Sequence, residues 1–533
     1  MSTFIIIPFM MTSYVTSSIC PSGSSCDCKK EHQVRKDSDK DYIVINCELS
    51  VTEDDIHVFA NTSIRRLKLH NTTMTNLVAG TFKDINVETL TVHDQVTKIE
   101  SDTFADIMDT LTTLKLININ ISRNWDLNFL KDLKISRLYL DQNGIYPEHF
   151  PELVFSNLSL GSLKHLSLKN CKIVDIMDNS FQGLEHLDTL DISYNNIPKI
   201  ASWILRLKNL RKINMSNNKR LIYIGDNAFY SLTKLEEIDL SNTGINAILE
   251  HAFNGLEHSL HTLKLRHAQL QDGHFNTMKH LKRLKTLDLS YNKIVDMHNT
   301  SFIGFSSLQS LDVSGQRDIR DGHQVSLNFV DSAFRGLDRK LLILKIRDLM
   351  MTSLPLAALS SLQVLEELDA SQNEFTEIYD DFFYKVNARV IYLRDMDISY
   401  IQPNAFMDLK LGSEVFLDNN DIKNMSFILE TRKCQFLTLS LKNNSVDCSC
   451  DVVEIALTNR VRHLEGTCAD GFFKGEPLRR VHKLPLAQTM CDVSNLRNDT
   501  NCKYTGVSRA SHFTIYKLYF HTLFFILAVV DFK

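Results

Sequence analysis

One short pattern recurs along most of this 533-residue chain and constrains its fold more than any other feature. The pattern LxxLxLxxNxL appears about sixteen times, and its starts lie about 24 residues apart with two longer gaps. Clear copies begin at Leu163, Leu187, Leu210, Leu235, Leu284 and Leu365, and weaker ones at Ile64, Val87, Leu111, Ile135, Leu260, Leu308, Leu341, Ala388, Gly412 and Phe436. A fixed period of this length predicts a solenoid in which each repeat forms one coil.

Each fixed position of the repeat has a physical explanation. The alternating apolar positions predict a strand with one buried face, and stacked coils join these strands into a parallel sheet. The ninth position is usually asparagine, whose amide can bond backbone groups left unpaired where the chain leaves the sheet. Cys171 occupies that position in one coil and is predicted to be a buried free thiol. Phenylalanines near the nineteenth position predict a spine of stacked rings opposite the sheet: Phe82, Phe104, Phe181, Phe229, Phe253, Phe302, Phe383 and Phe406.

Composition excludes several classes of protein. A hydrophobic content of 44% is enough for a large core and argues against disorder. The formal net charge of -5 gives no indication of nucleic-acid binding. The sequence contains no HExxH, GxSxG, phosphate-binding glycine loop or kinase motif, so an enzyme is not predicted and no cofactor or metal is indicated. The aspartates that follow the fourth position are predicted to form a solvated row without catalytic function: Asp191, Asp239, Asp288, Asp312 and Asp369.

Two cysteine clusters flank the repeats. Cys20, Cys26, Cys28 and Cys47 precede them, and the second cluster consists of Cys448, Cys450, Cys468 and Cys491. Even clusters in a secreted chain indicate disulfides rather than zinc, because the CxC spacing is poor for a four-thiolate site. Spacing alone leaves three pairings for each cluster. No pattern supports or excludes a Cys434–Cys502 bridge.

The repeats and both cysteine clusters together resemble extracellular leucine-rich repeat proteins of the Toll-like receptor and Slit type. The resemblance covers about residues 20 to 492. It implies an α/β solenoid, a horseshoe with a concave parallel β-sheet and disulfide caps at both ends. By this analogy the pairs are Cys20–Cys28, Cys26–Cys47, Cys448–Cys468 and Cys450–Cys491. The lead into the second cluster, Asn444 to Asp447, departs from the family's usual Asn-Pro-aromatic sequence.

Six segments follow from these observations. Residues 1–18 are predicted to be a signal peptide, 19–63 the amino-terminal cap, 64–446 the repeats, 447–492 the carboxy-terminal cap, 493–512 a juxtamembrane linker and 513–530 a hydrophobic segment. For 513–530 three interpretations are open: a short membrane anchor, which is favoured, a lipid-anchor signal, and the scar of a truncated or alternatively spliced product. An extracellular or cell-surface location with single-pass attachment is therefore expected.

Nine sequons agree with passage through the secretory pathway. They lie at Asn61, Asn71, Asn120, Asn157, Asn214, Asn299, Asn424, Asn443 and Asn498. A glycan on Asn214 would stand on the concave face of its coil, because this residue follows the fourth position of the repeat. From Leu235 to Gln372 no sequon falls on a strand, which leaves that part of the face clear.

Function is predicted from the face that the strands display. The resemblance implies recognition of a protein or microbial ligand in innate immunity, with the chain acting as co-receptor or decoy because no cytoplasmic signalling domain follows. Cell adhesion or guidance is the alternative, and a homodimer is left open. The candidate ligand-binding residues in the clear window are His261, Lys264, Arg266, His267, Lys345 and Arg347. The longest coil adds a lateral loop at 318–329, a second candidate contact. Titration of His261 and His267 would make binding of an anion sensitive to pH near 6 to 7 (about 6.5 for free imidazole).

Overall fold

The structure is a computed structural model that describes residues 26–35, 38–47, 52–70, 73–94, 96–119, 125–144, 149–320, 323–458, 460–470 and 473–491. The chain divides into two compact units. The first contains the described residues up to Asn328 together with Arg335–Lys340, and the second contains Phe329–Phe334 and the residues from Leu341 onward. The segments 1–18 and 513–530, together with Cys20 and Cys502, lie outside the described residues.

Long runs of parallel strands form the framework of both units. In the first unit β1 (Cys26–Arg35) pairs antiparallel with β2 (Ser38–Cys47). The parallel strands continue from β2 with β3 (Ser63–Leu69), β5 (Asn86–His93), β7 (Thr113–Ile117), β8 (Arg137–Tyr139), β10 (His165–Ser167), β12 (Thr189–Asp191), β13 (Lys212–Asn214), β15 (Glu237–Asp239), β17 (Thr262–Lys264), β18 (Thr286–Asp288) and β20 (Ser310–Asp312). The second has β24 (Ile343–Lys345), β25 (Glu367–Asp369), β27 (Val390–Tyr392), β29 (Ser413–Phe416), β30 (Phe436–Ser440) and β31 (Val461–Glu465).

Shorter elements make up the rest of each coil. The remaining strands are β4 (Asn76–Leu77), β6 (Lys98–Ile99), β9 (His149–Phe150), β11 (Asp175–Ile176), β14 (Tyr223–Ile224), β16 (Ala247–Ile248), β19 (Asp296–Met297), β21 (Arg317–Arg320), β22 (His323–Ser326), β23 (Asn328–Phe329), β26 (Glu377–Ile378) and β28 (Tyr400–Ile401). The helices are α1 (Glu53–His57), α2 (Phe275–Met278), α3 (Leu356–Leu359), α4 (Phe427–Glu430), α5 (Cys450–Leu457) and α6 (Pro485–Met490). Turns of 3-10 helix occur at Ala105–Ile107, Asn128–Leu130, Ser202–Arg206, Asp272–His274 and Leu478–Lys483.

Each of the predicted repeat starts leads into one of these parallel strands, so the solenoid prediction is confirmed. Within each unit, successive coils pair in register, as in Leu190 opposite Ile213 and Leu344 opposite Leu368. The leucines at positions one, four and six are buried, for example Leu187, Leu190 and Ile192. Because a coil buries these side chains only against its neighbours, stability is shared between adjacent coils.

The asparagines of the ninth position form the predicted ladder. Asn195 accepts hydrogen bonds from the backbone N–H groups of Cys171 (2.9 Å) and Ile173 (3.0 Å) and donates to the carbonyl of Leu168 (2.9 Å). Asn218, Asn292, Asn373 and Asn420 likewise donate to a carbonyl of the preceding coil. The amide of each coil therefore holds the turn of the preceding one. Cys171 is buried and free, as predicted.

Phenylalanine rings form the second buried row. Neighbouring rings lie 5.8 Å apart at Phe82 and Phe104, and 6.1 Å apart at Phe229 and Phe253. The second unit has a row of its own, in which the rings of Phe383 and Phe406 are 5.5 Å apart. Stacked or tilted aromatic contacts at these distances add to the stabilisation from burial alone.

The row of aspartates differs from the prediction. Asp191 is only 6% exposed, so it does not belong to a solvated row. Its carboxylate accepts the backbone N–H of Ser193 at 2.9 Å, and the same bond to the residue two positions ahead recurs at Asp239, Asp288, Asp312 and Asp369. Burial and the neighbouring Asp312 also raise the pKa of Asp288. The prediction of a solvated row was therefore wrong for Asp191, and the other four aspartates are half-buried. In each coil the D-x-S sequence uses the carboxylate for a bond to the backbone at the strand end.

Disulfides are present at both ends. Cys26–Cys47 joins β1 to β2, whereas Cys448–Cys468 and Cys450–Cys491 close the carboxy-terminal cap. These three are pairs that the family resemblance implies. Cys28 and Cys434 are also disulfide-bonded. The pairs Cys20–Cys28 and Cys434–Cys502 extend beyond the described residues.

Candidate recognition surface

The solvent side of the parallel strands, called the strand face below, carries the predicted ligand-binding residues of the first unit. Lys264 lies on β17, but its ammonium group already forms ion pairs within the protein. Its Nζ lies 3.2 Å from Glu237 Oε1 and 3.5 Å from Asp239 Oδ2. Burial alone would lower the pKa of Lys264, but the Asp239 and Glu237 carboxylates together raise it. Lys212 also pairs with Glu237 at 3.0 Å, so Lys264 belongs to a structural ion-pair network.

Arg266 and His267 are both exposed, and both contact the ring of Tyr291. The ring of His267 stacks on Tyr291, with centroids 4.6 Å apart and planes 26° apart. The guanidinium of Arg266 lies 4.5 Å from the centroid of the same tyrosine ring. Arg266, His267 and Tyr291, called the Tyr291 platform below, thus combine two side chains that can carry positive charge with one aromatic face at the carboxyl ends of neighbouring strands.

Gly315 makes room for the Tyr291 platform. A Cβ at this position would lie 2.5 Å from Tyr291 Cδ1, and the backbone φ is +65°, a conformation that favours glycine. Tyr291 was not among the predicted residues. The sequence feature that could have indicated it is a tyrosine at the eighth repeat position. Tyr194 occupies the same position in another coil, and there Lys169 Nζ lies 4.9 Å from the ring centroid.

The environment of the Tyr291 platform changes the pKa of His267. Burial, followed by the charge of Arg266, lowers the pKa of His267 from its ordinary value of 6.5. His261 lies two positions before Leu263, at the opposite end of the same strand from His267, and the structure does not bring the two histidines together.

The predicted lateral loop is an antiparallel hairpin. β21 and β22 pair from Arg317 opposite Ser326 to Arg320 opposite His323. The hairpin starts directly after Gln316, and the N–H of Arg317 donates to the carbonyl of Asn292 at 3.1 Å. It therefore leaves the solenoid at the carboxyl ends of the strands, the same end that carries the Tyr291 platform.

A shallow depression also opens beyond the carboxyl ends of β15, β17 and β18. It has a volume of about 480 Å³ and is lined by Asn246, Gln269, Gln271 and Lys293. Small-molecule pockets are mostly apolar, whereas these four side chains are all polar. The depression therefore suits the rim of a macromolecular contact better than a pocket for an apolar ligand.

The other two predicted residues lie in the second unit. Arg347 is held by Asp369 (3.6 Å) and by Gln372 (2.9 Å), and Lys345 lies on β24. A cation–aromatic group that was not predicted lies in the same unit. There Arg394 is 4.7 Å from the ring centroid of Tyr392 and 4.6 Å from that of Phe416, while Asp418 pairs with its Nε at 3.2 Å.

A second concentration of cationic side chains covers β7, β8 and β10 of the first unit. Lys115 Nζ lies 4.7 Å from the ring centroid of Tyr139, and the ring of His165 lies 4.8 Å from the same tyrosine. Burial, then the charges of Arg137 and Lys115, lower the pKa of His165 from 6.5 to about 4. His165 Nε2 is buried without a hydrogen-bond partner.

His165 should make the fold sensitive to acid. Its folded pKa of about 4 lies below the unfolded value of 6.5, so stability is complete above 6.5 and is lost as pH falls towards 4. We expect the wild type to lose about 2 kcal/mol more than His165→Gln between pH 8 and pH 5, from the linkage of one such group. Chemical denaturation at both pH values measures this, with His261→Gln as the control. Equal losses in wild type and His165→Gln would contradict it.

The sequons lie in different environments. Asn61, Asn157, Asn299, Asn424 and Asn443 are exposed. Asn214 is half-buried on β13, where its Nδ2 donates to Asp191 Oδ2 at 3.0 Å. Asn71, Asn120 and Asn498 lie outside the described residues. Glycosylation at all nine sites stays a prediction.

None of the helices in the described part of the chain combines the length and the hydropathy that a membrane crossing requires.

Comparison with known proteins identifies the repeat family. Residues 161–219 and 258–317 match a family profile described as leucine rich repeat, and residues 42–146 and 329–452 match one described as BspA type leucine rich repeat region. Together these ranges cover more than half of the chain. TLR13 in its solved complex with ssRNA13 is 19% identical to this chain and superposes on it with a TM-score of 0.54. The alignment covers 78% of this chain and 62% of TLR13. This likeness concerns the fold alone.

Three curated relatives show the range of similar proteins. Adenylate cyclase of Schizosaccharomyces pombe is 26% identical over 60% of this chain and 18% of that protein. CD180 antigen of Mus musculus is 23% identical over 68% of this chain and 58% of that protein. Toll-like receptor 3 of Boselaphus tragocamelus is 25% identical over 49% of this chain and 33% of that protein. The chain thus spans less than two thirds of each relative. Its repeats, terminal disulfides and similarities show that it belongs to the leucine-rich repeat proteins and resembles a Toll-like receptor ectodomain.

Proposed function

We propose that this chain is a non-enzymatic extracellular recognition protein that binds a protein or microbial ligand in innate immunity. The observation that carries the proposal is the Tyr291 platform. Arginine and tyrosine are enriched among the residues that dominate binding energy, and here both are placed together on the strand face. Similarity to CD180 antigen and Toll-like receptor 3 supports the immune role. The role of co-receptor or decoy, homodimer formation and membrane attachment stay predictions.

The geometry also says which side chains to change. Lys264 is a poor probe, because its removal would leave Glu237 and Asp239 half-buried without one of their cations. Arg266 and His267 are exposed, and substitutions at such positions usually change stability by less than about 0.5 kcal/mol. The double variant Arg266→Ala/His267→Ala therefore isolates binding from folding.

We expect Arg266→Ala/His267→Ala to weaken ligand binding at least about tenfold, the effect of losing a hot spot contact. The purified secreted chain is first screened against microbial surface preparations and an array of host extracellular proteins, and affinities for the ligand are then measured. Lys169→Ala/Tyr194→Ala is the matched control, since it removes a similar cation–aromatic pair elsewhere on the strand face.

Two outcomes would redirect the proposal. Unchanged affinity in Arg266→Ala/His267→Ala, with loss in Lys169→Ala/Tyr194→Ala, would move the binding site towards the amino-terminal coils. A host cell-surface protein as the ligand, with no microbial component bound, would favour cell adhesion or guidance.

A further inference from the structure

Two histidines and an aspartate meet at the carboxyl ends of β3 and β5, away from the Tyr291 platform. Leu69 pairs with Val92 across these strands, so the next residues, His70 and His93, lie side by side. Their ring centroids are 5.0 Å apart with the planes at 47°. Asp94 follows directly, and its Oδ2 lies 3.7 Å from His70 Nε2. One nitrogen or oxygen atom from each of the three side chains lies within 4.8 Å of the others.

The backbone beneath these side chains is held firmly. Leu69 and Val92 are fully buried, which fixes the strands on either side of the cluster. The N–H of His70 donates to the carbonyl of Cys47 at 2.9 Å, and the N–H of Asp94 donates to the carbonyl of Ile117 at 3.2 Å. The three side chains therefore start from positions set by the sheet rather than by a loose loop.

We propose that His70, His93 and Asp94 bind a divalent transition-metal ion such as Zn²⁺. Two imidazole nitrogens and one carboxylate oxygen form a ligand set that suits zinc and leaves a coordination position for water or for an oxygen of a bound partner. Tetrahedral zinc bonds of about 2.0 to 2.1 Å place ligand atoms about 3.4 Å apart, so small side-chain rotations would close the site. Calcium and magnesium prefer oxygen ligands and are not expected here.

Asn118 orients the carboxylate of the cluster. Its Nδ2 donates to Asp94 Oδ1 at 2.5 Å, while Asp94 Oδ2 faces His70. Hydrogen bonds of this kind to metal-binding carboxylates hold the ligand in place, and their loss typically weakens metal binding by about 10- to 100-fold. Asn118 is therefore a positioning residue for the proposed site.

The charges around His70, His93 and Asp94 set the expected affinity for the metal ion. The charges of Lys68 and Lys115, both close enough to act on His93, repel a divalent ion. We therefore expect micromolar rather than nanomolar affinity. No metal site was predicted from the sequence because His70 and His93 lie in different repeats, and only the pairing of β3 with β5 brings them together.

The test is calorimetric titration of the full secreted chain with ZnCl₂ after removal of metal by dialysis against a chelator. We expect saturable binding that His70→Ala and His93→Ala each weaken at least tenfold and that Asn118→Ala weakens about tenfold. His258→Ala, which changes an exposed histidine outside the cluster, should leave the affinity unchanged. Titration with CaCl₂ should give no binding at this site.

A second measurement keeps the proposal testable if an alanine variant is not secreted. Co²⁺ replaces zinc and reports its ligands by visible absorption, and the band of the wild type should be lost in the milder variant His93→Gln. The proposal is overturned if the wild type binds no Zn²⁺, or if His70→Ala/His93→Ala and His93→Gln bind it as the wild type does. The latter result would assign the binding to other histidines of the chain.

Discussion

Replacing Asn292 with alanine is expected to destabilise the first unit by about 4 kcal/mol or more. The Asn292 side chain is 3% exposed and forms hydrogen bonds with backbone groups of its own coil and of the preceding one. Its Oδ1 accepts the N–H groups of Ala268 (2.9 Å) and Leu270 (3.1 Å), and its Nδ2 donates to the carbonyls of Leu265 (2.9 Å) and Leu289 (2.8 Å). The carbonyl of Leu289 keeps a bond from Gln316, so alanine would leave three backbone groups without a partner. Each such buried group costs about 1 to 3 kcal/mol.

The matched control for Asn292→Ala comes from the next coil. There Gln316 occupies the ladder position, accepts the N–H of Ile294 at 3.1 Å and donates to the carbonyl of Leu289 at 2.6 Å. Asn292→Gln should therefore retain much of the stability that Asn292→Ala loses. Chemical denaturation compares the three proteins. Equal stability of wild type and Asn292→Ala would show that the ladder does not hold the coils together.

Serine in place of Cys450 is expected to abolish efficient secretion. The Cys450–Cys491 disulfide closes a sequence separation of 41 residues and ties the start of α5 to the end of α6. A loop of this size gives about 4 kcal/mol by the chain-entropy estimate. Without it the cap that covers the last repeat strand can open, and the unpaired Cys491 becomes free to form wrong disulfides.

Secretion from cultured animal cells and thermal denaturation of the secreted protein measure the effect of Cys450→Ser. Cys450→Ser/Cys491→Ser removes the unpaired thiol and so separates loss of the bridge from mispairing. Cys171→Ser makes the same substitution at a free buried thiol and should be secreted normally, because a hydroxyl can keep the bond to the carbonyl of Leu140. Normal secretion and melting of both Cys450 variants would show that the cap does not depend on this bridge.

The fold could be predicted from the sequence because the same residue types recur at the same positions of every coil and make the same contacts. A correct interpretation of Leu190 or Asn195 in one coil also holds for the equivalent residues of the other coils, since each coil packs against its neighbours in the same way. The prediction failed at Asp191, because strand alternation indicates only which face a residue lies on. The burial of Asp191 and its bond to the N–H of Ser193 depend on how the chain turns at the strand end.

The candidate surface was harder to predict, because it depends on contacts between different coils. Lys264 looked like an available cation in its own repeat, and only the pairing of β15 with β17 brings Glu237 and Asp239 beside it. Tyr291 looked like one consensus residue among several. Its importance comes from Arg266 and His267 in the preceding coil and from the space left by Gly315 in the following one.

The buried thiol of Cys171 has a consequence for oxidative maturation. Burial raises the pKa of this thiol well above its usual range, so the reactive thiolate is almost absent in the folded coil. An odd cysteine among 11 would otherwise compete for partners while the caps are forming. Since a coil buries Cys171 through contacts with adjacent repeats, early assembly of these repeats would withdraw the thiol from exchange. The order in which repeats and caps form would then decide how many molecules reach the correct pairing.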